Sequence, residues 1–266
     1  MDQPTPEPAI VIHGVTQQFG SRLIFQDVSC TIARGEVFVI LGGSGCGKST
    51  LLRQTVGLLA PSSGTITVLG HDMYADRGDV LTRIGVMFQA GALFGSMTLL
   101  ENVMLPLQVY TDLPEAACAR VAQVKLSLVG LGDFGGAMPA EISGGMAKRA
   151  AIARALALDP PLLFLDEPSA GLDPITSAGL DQLILDLRRD LGTTFVVVTH
   201  ELASILAIAD RCLMLDRTAK GVIAEGDPRV LRDESTHPTV RAFFRREAEQ
   251  PQAGQPGAEP AKAAAA

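Results

Sequence analysis

The sequence predicts an α/β fold with a mostly parallel central sheet, a small antiparallel β region beside it, and a helical segment inserted between two core strands. Short apolar runs alternate with helical patterns. The runs are nearly continuous in Val, Leu, Ile, Phe and Met, as in parallel strands covered on both faces. Residues 9–40 alternate more like antiparallel strands, and residues from about 91 to 158 are mostly helical.

The individual elements follow from these patterns in chain order. Apolar runs predict core strands at residues 36–42, 83–89, 161–167, 194–200 and 211–216. Helical patterns predict helices at residues 48–58, 144–158 and 174–191. Pro174 suits the first turn of the last helix, because a backbone N–H would have no helical partner there.

Both ends of the chain differ in composition from the rest. Residues 1–8 are polar and rich in proline, and residues 250–266 are low-complexity Pro, Ala, Gln and Gly. Since neither stretch can bury enough apolar surface to offset its chain entropy, we expect disordered tails around one domain at residues 9–235. Residues 236–249 are predicted to form a short amphipathic helix that packs on this domain, with contact to another protein as the alternative.

Composition narrows the class of protein. Hydrophobic residues make up 47% of the 266 and charged residues 19%, and the net charge of −7 disfavours a general nucleic-acid binder. We expect no signal peptide, and no uncharged apolar run approaches the roughly 18 residues of a membrane span. The expected location is the cytoplasm, with any membrane role supplied by a partner. The four cysteines form no CxxC pair and are expected to be buried free thiols.

A glycine-rich segment follows the first core strand and opens the first helix. It fits G-x-x-x-x-G-K-[ST], in which backbone N–H groups and a helix N-terminus converge on phosphate. The glycines permit close approach, Lys48 neutralises phosphate charge, and the Ser49 hydroxyl suits Mg²⁺. A plain Gly-rich turn is the alternative, but chance produces the pattern in on the order of one in a hundred such chains. The candidate nucleotide-binding residues are Gly42, Gly43, Ser44, Gly45, Cys46, Gly47, Lys48, Ser49 and Thr50.

Further polar residues stand at the ends of core strands. Parallel strands place their C-terminal ends along one edge of the sheet, so we expect Asp166 to hold the Mg²⁺ shell and Glu167 to act as general base. His200 is a candidate for contact with the γ-phosphate, and Gln89 for sensing Mg²⁺ or the attacking water. Taken alone, each has a simpler alternative, such as a solvated loop start for the carboxylates and a helix-capping residue for the histidine.

The segment Ile142-Ser143-Gly144-Gly145-Met146 precedes an Ala-rich helix and places Ser143 23 positions before Asp166. It resembles the signature of the ABC family. The resemblance spans residues 9–235 and includes the phosphate loop, Gln89, the two carboxylates, the turn at 169–173 and His200. It implies an ABC-type P-loop NTPase that uses ATP and Mg²⁺. Such a protein has a RecA-like parallel-sheet core, an N-terminal antiparallel β subdomain and an inserted α-helical subdomain, here at about 91–158.

The signature also has a physical interpretation. Ser143 can cap the helix that follows, while Gly144 and Gly145 leave its first N–H groups uncovered, which creates a second anion-binding helix end. In the ABC family this end serves the ATP of the opposite subunit, so the resemblance implies a head-to-tail homodimer. It also implies that Asp173 lies at the dimer seam and that Phe19 stacks on adenine, although a lone Phe is more often a core residue.

Two segments resemble a subset of the family. Met146 stands where the commonest signature has Gln. This region and the segment after Gln89 resemble phospholipid-trafficking ABC ATPases of the Mla or organic-solvent-tolerance type. The resemblance implies an inner-membrane permease with the ATPase on its cytoplasmic face, a periplasmic Mce-type lipid-binding protein and a STAS-domain partner. The expected function is ATP hydrolysis that drives phospholipid transport between membranes of a bacterial envelope.

Three other functions compete with this one. An importer of amino acids or another small solute would carry the same ATPase motifs and differ in its partners, so it is the main alternative. An ABC ATPase that acts on DNA or ribosomes is disfavoured, because the chain is acidic and has one motif set without a long coiled-coil insertion. A GTPase is disfavoured because the N-K-x-D motif is absent.

Overall fold

The computed structural model describes residues 7–246. Its strands are β1 (Ile10–Phe19), β2 (Arg22–Ile32), β3 (Val37–Gly42), β4 (Ser63–Val68), β5 (His71–Asp72), β6 (Ile84–Met87), β7 (Leu162–Asp166), β8 (Thr194–Val198), β9 (Arg211–Asp216) and β10 (Gly221–Gly226). Its helices are α1 (Lys48–Thr55), α2 (Arg77–Leu81), α3 (Leu99–Tyr110), α4 (Glu115–Leu128), α5 (Gly144–Ala155), α6 (Pro174–Leu191), α7 (Leu202–Ile208), α8 (Pro228–Glu234) and α9 (Pro238–Arg245).

The strands of this part of the chain form two sheets. The smaller sheet has the order β2-β1-β4-β5, and its pairings are antiparallel. The larger sheet has the order β10-β9-β3-β8-β7-β6 and is parallel except where β10 pairs with β9. The predicted α/β class, with a mostly parallel core sheet and an N-terminal antiparallel sheet, is confirmed.

Two kinds of difference separate the predicted and observed elements. The antiparallel region does not extend to residue 40, because β2 ends at Ile32 and residues 37–42 form β3 inside the core sheet. The elements β4, β5, β10, α2, α7 and α8 were not predicted. None of them exceeds seven residues, which is too short to display a clear hydrophobic period. They are stabilised by pairing and packing with other elements, such as β1 for β4 and β9 for β10.

Strand β3 is buried along its whole length and separates two hydrophobic cores. Val39 and Leu41 belong to the core that includes residues of α3 to α7. Phe38 and Ile40 belong to the core shared with α1 and the antiparallel sheet. This burial on both faces explains the continuous apolar run of β3. It also fixes the end of β3, where the phosphate loop begins, between two packed layers.

Helices α3, α4 and α5 lie between β6 and β7 in the chain. Helix α3 starts with a capping box, in which Glu101 N donates to Thr98 Oγ1 at 3.2 Å and Thr98 N donates to Glu101 Oε2 at 2.7 Å. The buried side chain of Asn102 bonds to backbone atoms of Phe94, Met97 and Thr98 at 2.8–3.1 Å. These bonds fasten the loop between β6 and α3 to the start of α3.

Helix α9 packs on the domain through its apolar side. Val240 and Phe244 are buried, and the rings of Phe243 and Phe244 meet edge to face with centroids 5.4 Å apart. The end of the predicted helix, residues 247–249, lies outside the described residues.

The remaining predictions about the chain concern its tails, membrane segments and cysteines. The predicted tails at 1–8 and 250–266 lie outside the described residues, except for Glu7 and Pro8. Between residues 7 and 246 no helix is both long and apolar enough to cross a bilayer. All four cysteines are buried and unpaired, as expected.

Candidate functional site

The phosphate loop, residues 42–50, joins β3 to α1 and requires glycine at two positions. Gly42 has φ +142°, and a Cβ there would lie 2.2 Å from the carbonyl oxygen of Leu215 in β9. Gly47 has φ +106°, and a Cβ there would lie 2.6 Å from Cδ1 of Phe25 in β2. A side chain at either position would displace a neighbouring strand, so glycine allows the loop to close against both sheets.

Lys48 connects the start of the loop to the start of α1. Its Nζ donates to the carbonyl oxygens of Gly42 at 2.8 Å and Gly43 at 3.2 Å. Helix α1 begins at Lys48, so the N–H groups of its first turn have no partners within the helix. These N–H groups and the positive end of the helix dipole attract anions. The loop therefore combines a cation with backbone donors, as a phosphate site requires.

An open cavity of about 350 Å³ lies beside this loop. Phe19, at the end of β1, lines it and is 49% exposed, which leaves its ring free for stacking. Burial raises the pKa of the Cys46 thiol, and this residue is only 1% exposed, so its side chain is not available to a ligand. The other cavity-lining residues are Arg22, Ile24, Gly45, Gly47, Lys48, Ser49 and Thr50.

Asp166 is the last residue of β7, two strands away from β3 in the core sheet. Its Oδ1 is buried and has no hydrogen-bond donor among the described residues. Burial and the nearby charge of Glu167 raise the pKa of Asp166, while Arg53, Lys48 and Lys148 lower it. A buried carboxylate oxygen without a donor is unfavourable, so this atom suits a hydrated cation.

Glu167 follows directly and has a strained backbone, with φ +47°. Its N–H donates to the Val198 carbonyl of β8 at 2.8 Å, which ties it to the neighbouring strand end. His200 Nδ1 lies 2.8 Å from Glu167 Oε1, so the imidazole donates to the carboxylate through this nitrogen. The His200 side chain is 69% exposed and that of Glu167 only 12%. The structure therefore brings these two predicted residues into direct contact.

Gln89 lies two residues beyond the end of β6, and it is exposed. Its carbonyl oxygen accepts a hydrogen bond from Lys148 Nζ, and the same ammonium lies 3.4 Å from the carbonyl oxygen of Glu167. The sequence motifs did not identify Lys148 as a residue of the site. The available signal was its position on α5, three residues after buried Gly145 and four before buried Ile152, on a helix face that packs inward.

A second group of predicted residues lies at the starts of α5 and α6. Ser143 caps α5, its Oγ accepting from Met146 N at 3.3 Å, and both Ser143 and Gly144 are exposed. Asp173 caps α6 by accepting from two backbone N–H groups at 3.0 Å each. Hydrogen bonds from Thr176 lower the pKa of Asp173. The predicted residues thus form two groups, and no hydrogen bond within residues 7–246 joins Ser143 or Asp173 to the phosphate loop.

The fold and the first group of residues define the class of protein, a nucleotide-binding α/β protein with a phosphate loop. The model of the ABC transporter family matches residues 25–170, and the chain belongs to this family. The resemblance inferred from the signature is therefore confirmed.

Relatives from two groups of bacteria are similar over most of the chain. The Mycobacterium tuberculosis protein named probable ribonucleotide transport ATP-binding protein mkl is 43% identical over 240 residues, which is 89% of this chain. The chain spans 66% of the length of that relative. The Escherichia coli intermembrane phospholipid transport system ATP-binding protein MlaF is 42% identical over 229 residues, with 85% of this chain and 84% of MlaF covered.

Two solved structures have the same fold. The structure of cbiO1 from Clostridium perfringens, part of the ABC transporter complex cbiONQ, has a TM-score of 0.78 and 29% identity. The comparison covers 86% of this chain and 92% of cbiO1. The dimeric structure of MJ0796, a bacterial ABC transporter cassette, has a TM-score of 0.73 and 32% identity, with 82% of this chain and 98% of MJ0796 covered.

Proposed function

We propose that the chain is the ATP-hydrolysing subunit of an ABC transporter that moves phospholipid between membranes of a bacterial envelope. One observation carries the ATPase assignment: the phosphate loop, Asp166 and the Glu167–His200 pair lie at C-terminal ends of parallel strands in one sheet. The edge formed by such strand ends is where α/β proteins bind their ligands.

The phosphate loop binds the polyphosphate of ATP through backbone N–H groups, the α1 N-terminus and the Lys48 ammonium. Lys48 exchanges its two carbonyl acceptors for phosphate oxygens when the nucleotide enters. Phe19 stacks on the adenine ring, which is supported by its exposed position beside the loop.

The residues at the strand ends fit Mg²⁺. Asp166 offers a buried oxygen without a donor, and Ser49 offers an exposed hydroxyl in the first turn of α1. Asp166 and Ser49 would hold the cation, with Gln89 as a further oxygen ligand. When bound, Mg²⁺ supplies charge neutralisation for the β- and γ-phosphates.

Glu167 acts as the general base that orients and deprotonates the attacking water. His200 donates to Oε1 of Glu167, which fixes the carboxylate and leaves Oε2 to accept from water. The exposed side of His200 contacts the γ-phosphate. The ground for these roles is the 2.8 Å contact between the two side chains, together with the low exposure of Glu167.

The separate position of the signature residues supports a homodimer. Ser143 caps a helix whose first glycine is exposed, so the start of α5 can bind an anion. This helix start lies beside α6, and it makes no hydrogen bond to the phosphate loop among the described residues. We infer that Ser143, Gly144 and Gly145 complete the ATP site of a second copy arranged head to tail. Asp173, which caps α6 beside them, then lies at the seam of the dimer.

A surface for the permease is proposed near the loop between β6 and α3. Phe94 in this loop is 50% exposed, and an open cavity of about 850 Å³ lies next to the loop, between α3 and the first turns of α4. The lining combines apolar and polar side chains, as a groove for a short helix does. The residues are Ser96, Met97, Thr98, Leu100, Glu101, Met104, Gln108, Glu115, Ala116 and Ala119. Through the permease the chain lies at the cytoplasmic face of the inner membrane.

The cargo assignment is supported by the relative named for intermembrane phospholipid transport, which matches this chain over most of both lengths. An Mce-type periplasmic lipid-binding protein and a STAS-domain protein complete the proposed transporter. The alternative is an importer of a small solute. Purification of the chain from membranes with its companion proteins, followed by analysis of bound lipid, tests the cargo. A soluble periplasmic binding protein among the companions and no bound phospholipid would favour the alternative.

The ATPase assignment is tested with Glu167→Gln. The variant should bind ATP as the wild type does but lose hydrolysis by roughly 100-fold or more, as expected for removal of a general base. It should also accumulate as a dimer in the presence of ATP, measured by light scattering after gel filtration.

Glu201→Gln is the matched control, because Glu201 is an exposed carboxylate nearby that makes no capping bond. It should keep wild-type turnover. Undiminished hydrolysis by Glu167→Gln would refute the assignment.

A further inference from the structure

We propose that Lys148 is a positioning residue for ATP hydrolysis, which holds the backbone of Gln89 and Glu167 and joins both to helix α5. Lys148 itself touches no reacting atom in this proposal and acts through the residues that it holds. The inference rests on the proposed ATPase function.

Packing alone does not explain a lysine at this position. The residue is 9% exposed on the inward face of α5, where an apolar side chain would avoid the desolvation of a charge. Desolvation lowers the pKa of Lys148, and the carboxylates of Asp166 and Glu167 oppose this effect. The ammonium is therefore surrounded by the acceptors of the catalytic region: the carbonyl oxygens of Gln89 and Glu167 and the charges of two carboxylates.

Through its contact with the Glu167 carbonyl, Lys148 holds a residue whose backbone is strained. A non-glycine residue with positive φ persists only when its surroundings hold it. The Glu167 N–H is held by the Val198 carbonyl at 2.8 Å, and its carbonyl oxygen accepts from Ala170 N at 3.1 Å and from Lys148 Nζ at 3.4 Å. Loss of the ammonium removes one of these constraints. The Glu167 backbone can then relax and move its carboxylate relative to His200.

The contact with Gln89 is one of three that fasten the loop after β6 to α5. Arg154, also on α5, donates to the carbonyl oxygens of Gly91 at 2.9 Å and Ala92 at 2.6 Å. Helix α5 thus holds this loop through Lys148 and Arg154, while its first turn carries Ser143. Because a helix moves as a rigid element, a displacement of the loop is transmitted to both Ser143 and the Glu167 carbonyl. Lys148 contacts both the loop and the catalytic strand end.

The test compares Lys148→Met with Lys125→Met in the full-length protein. Lys125 is a matched control, because it is also a buried lysine, 5% exposed, and its ammonium pairs with Asp159, away from the catalytic residues. Both variants should lower the Tm to a similar degree. Only Lys148→Met should lower kcat, by roughly 10- to 100-fold as for a misplaced catalytic group, with KM for ATP within about 2-fold of wild type.

Lys148→Arg, which keeps the charge and several donors, should recover part of kcat. A kcat for Lys148→Met equal to that of Lys125→Met would overturn the proposal, and so would a loss confined to KM. If Lys148→Met fails to fold, Lys148→Gln is measured in the same assay, and a wild-type kcat for it counts against the proposal. Failure of the proposed ATPase function is recognised separately, because Glu167→Gln would then retain turnover.

Discussion

Alanine substitutions at the two signature glycines are expected to separate the packing of α5 from its anion-binding end. A Cβ at Gly145 would lie 2.5 Å from Cγ2 of Thr176 in α6. That is about 1 Å inside the 3.5–4.0 Å at which carbon atoms attract each other. At Gly144 the nearest atom, Cδ2 of Leu172, would be 3.8 Å away, an ordinary contact. The same added methyl group therefore clashes at one glycine and fits at its neighbour.

The expected magnitudes follow from these distances. Overpacking costs about 1–3 kcal/mol, and alanine regains up to about 1 kcal/mol of helix propensity relative to glycine. Gly145→Ala should therefore destabilise the protein by roughly 1–2 kcal/mol, which is about 2–8 °C in Tm for a domain of this size. Gly144→Ala should keep the wild-type Tm or raise it slightly. It should nevertheless reduce hydrolysis, because its methyl group covers the exposed helix start that is proposed to meet ATP.

Thr176→Ser provides the decisive control, because it removes Cγ2 and keeps the hydroxyl that donates to Asp173 Oδ2 at 2.5 Å. Combined with Gly145→Ala, it should restore most of the lost stability, with a coupling free energy of about 1 kcal/mol. Thermal unfolding followed by circular dichroism measures the four members of this cycle at one protein concentration. The reasoning fails if Gly145→Ala is as stable as Gly144→Ala, or if the double variant unfolds at the same temperature as Gly145→Ala.

Two further predictions concern the nucleotide and the cation. Phe19→Ala should raise the Kd for ATP about 2- to 12-fold, the equivalent of a lost aromatic stacking contact of 0.5–1.5 kcal/mol, whereas Phe19→Tyr should bind normally in a fluorescence titration. Equal affinities of wild type and Phe19→Ala for ATP would show that Phe19 does not stack on the adenine. Burial raises the pKa of Asp166. In the protein without Mg²⁺, ionisation of this carboxyl therefore lowers the free energy of unfolding as the pH rises through that pKa. Asp166→Asn should therefore abolish Mg²⁺-dependent hydrolysis and yet have a higher Tm than wild type at pH 8, with a difference that shrinks as the pH falls through the raised pKa toward the ordinary Asp value of 3.8. A constant difference would contradict this account.

The candidate phosphate site could be proposed from the sequence because its chemistry requires fixed residue types at fixed spacing. Gly42 and Gly47 must lack a Cβ, Lys48 must follow at the helix start, and the carboxylates must end a buried strand. Such requirements are visible in one sequence. The pairing of His200 with Glu167 was not specified by any motif, because it depends on β7 and β8 being neighbours in the sheet.

Other features depend on contacts between distant segments. The assignment of Asp173 to a dimer seam rests on family resemblance and stays a prediction. The structure shows in addition that its side chain caps α6, a role that Asp followed by Pro174 already signals. Lys148 meets carbonyl groups 59 and 19 residues away along the chain, so no local pattern identifies its partners. A lysine on the inward face of a predicted helix was nevertheless a visible anomaly, since lysine is rarely buried without a partner.

Helix α5 meets different neighbours at successive positions, and this explains why substitutions along it should have separable effects. Gly144 is exposed, Gly145 packs against Thr176, and Lys148 points inward to the ends of β6 and β7. Arg154, further along, holds the loop that is proposed to meet the permease. A change at Gly144 then alters mainly the proposed anion site, a change at Gly145 adds a loss of stability, and a change at Lys148 lowers turnover as well as stability. Since one helix carries all of these contacts, a force at the loop proposed to meet the permease would reach the Glu167 carbonyl of the same chain. In the proposed head-to-tail dimer it would also reach the partner's ATP site through Ser143, without a separate transmitting element.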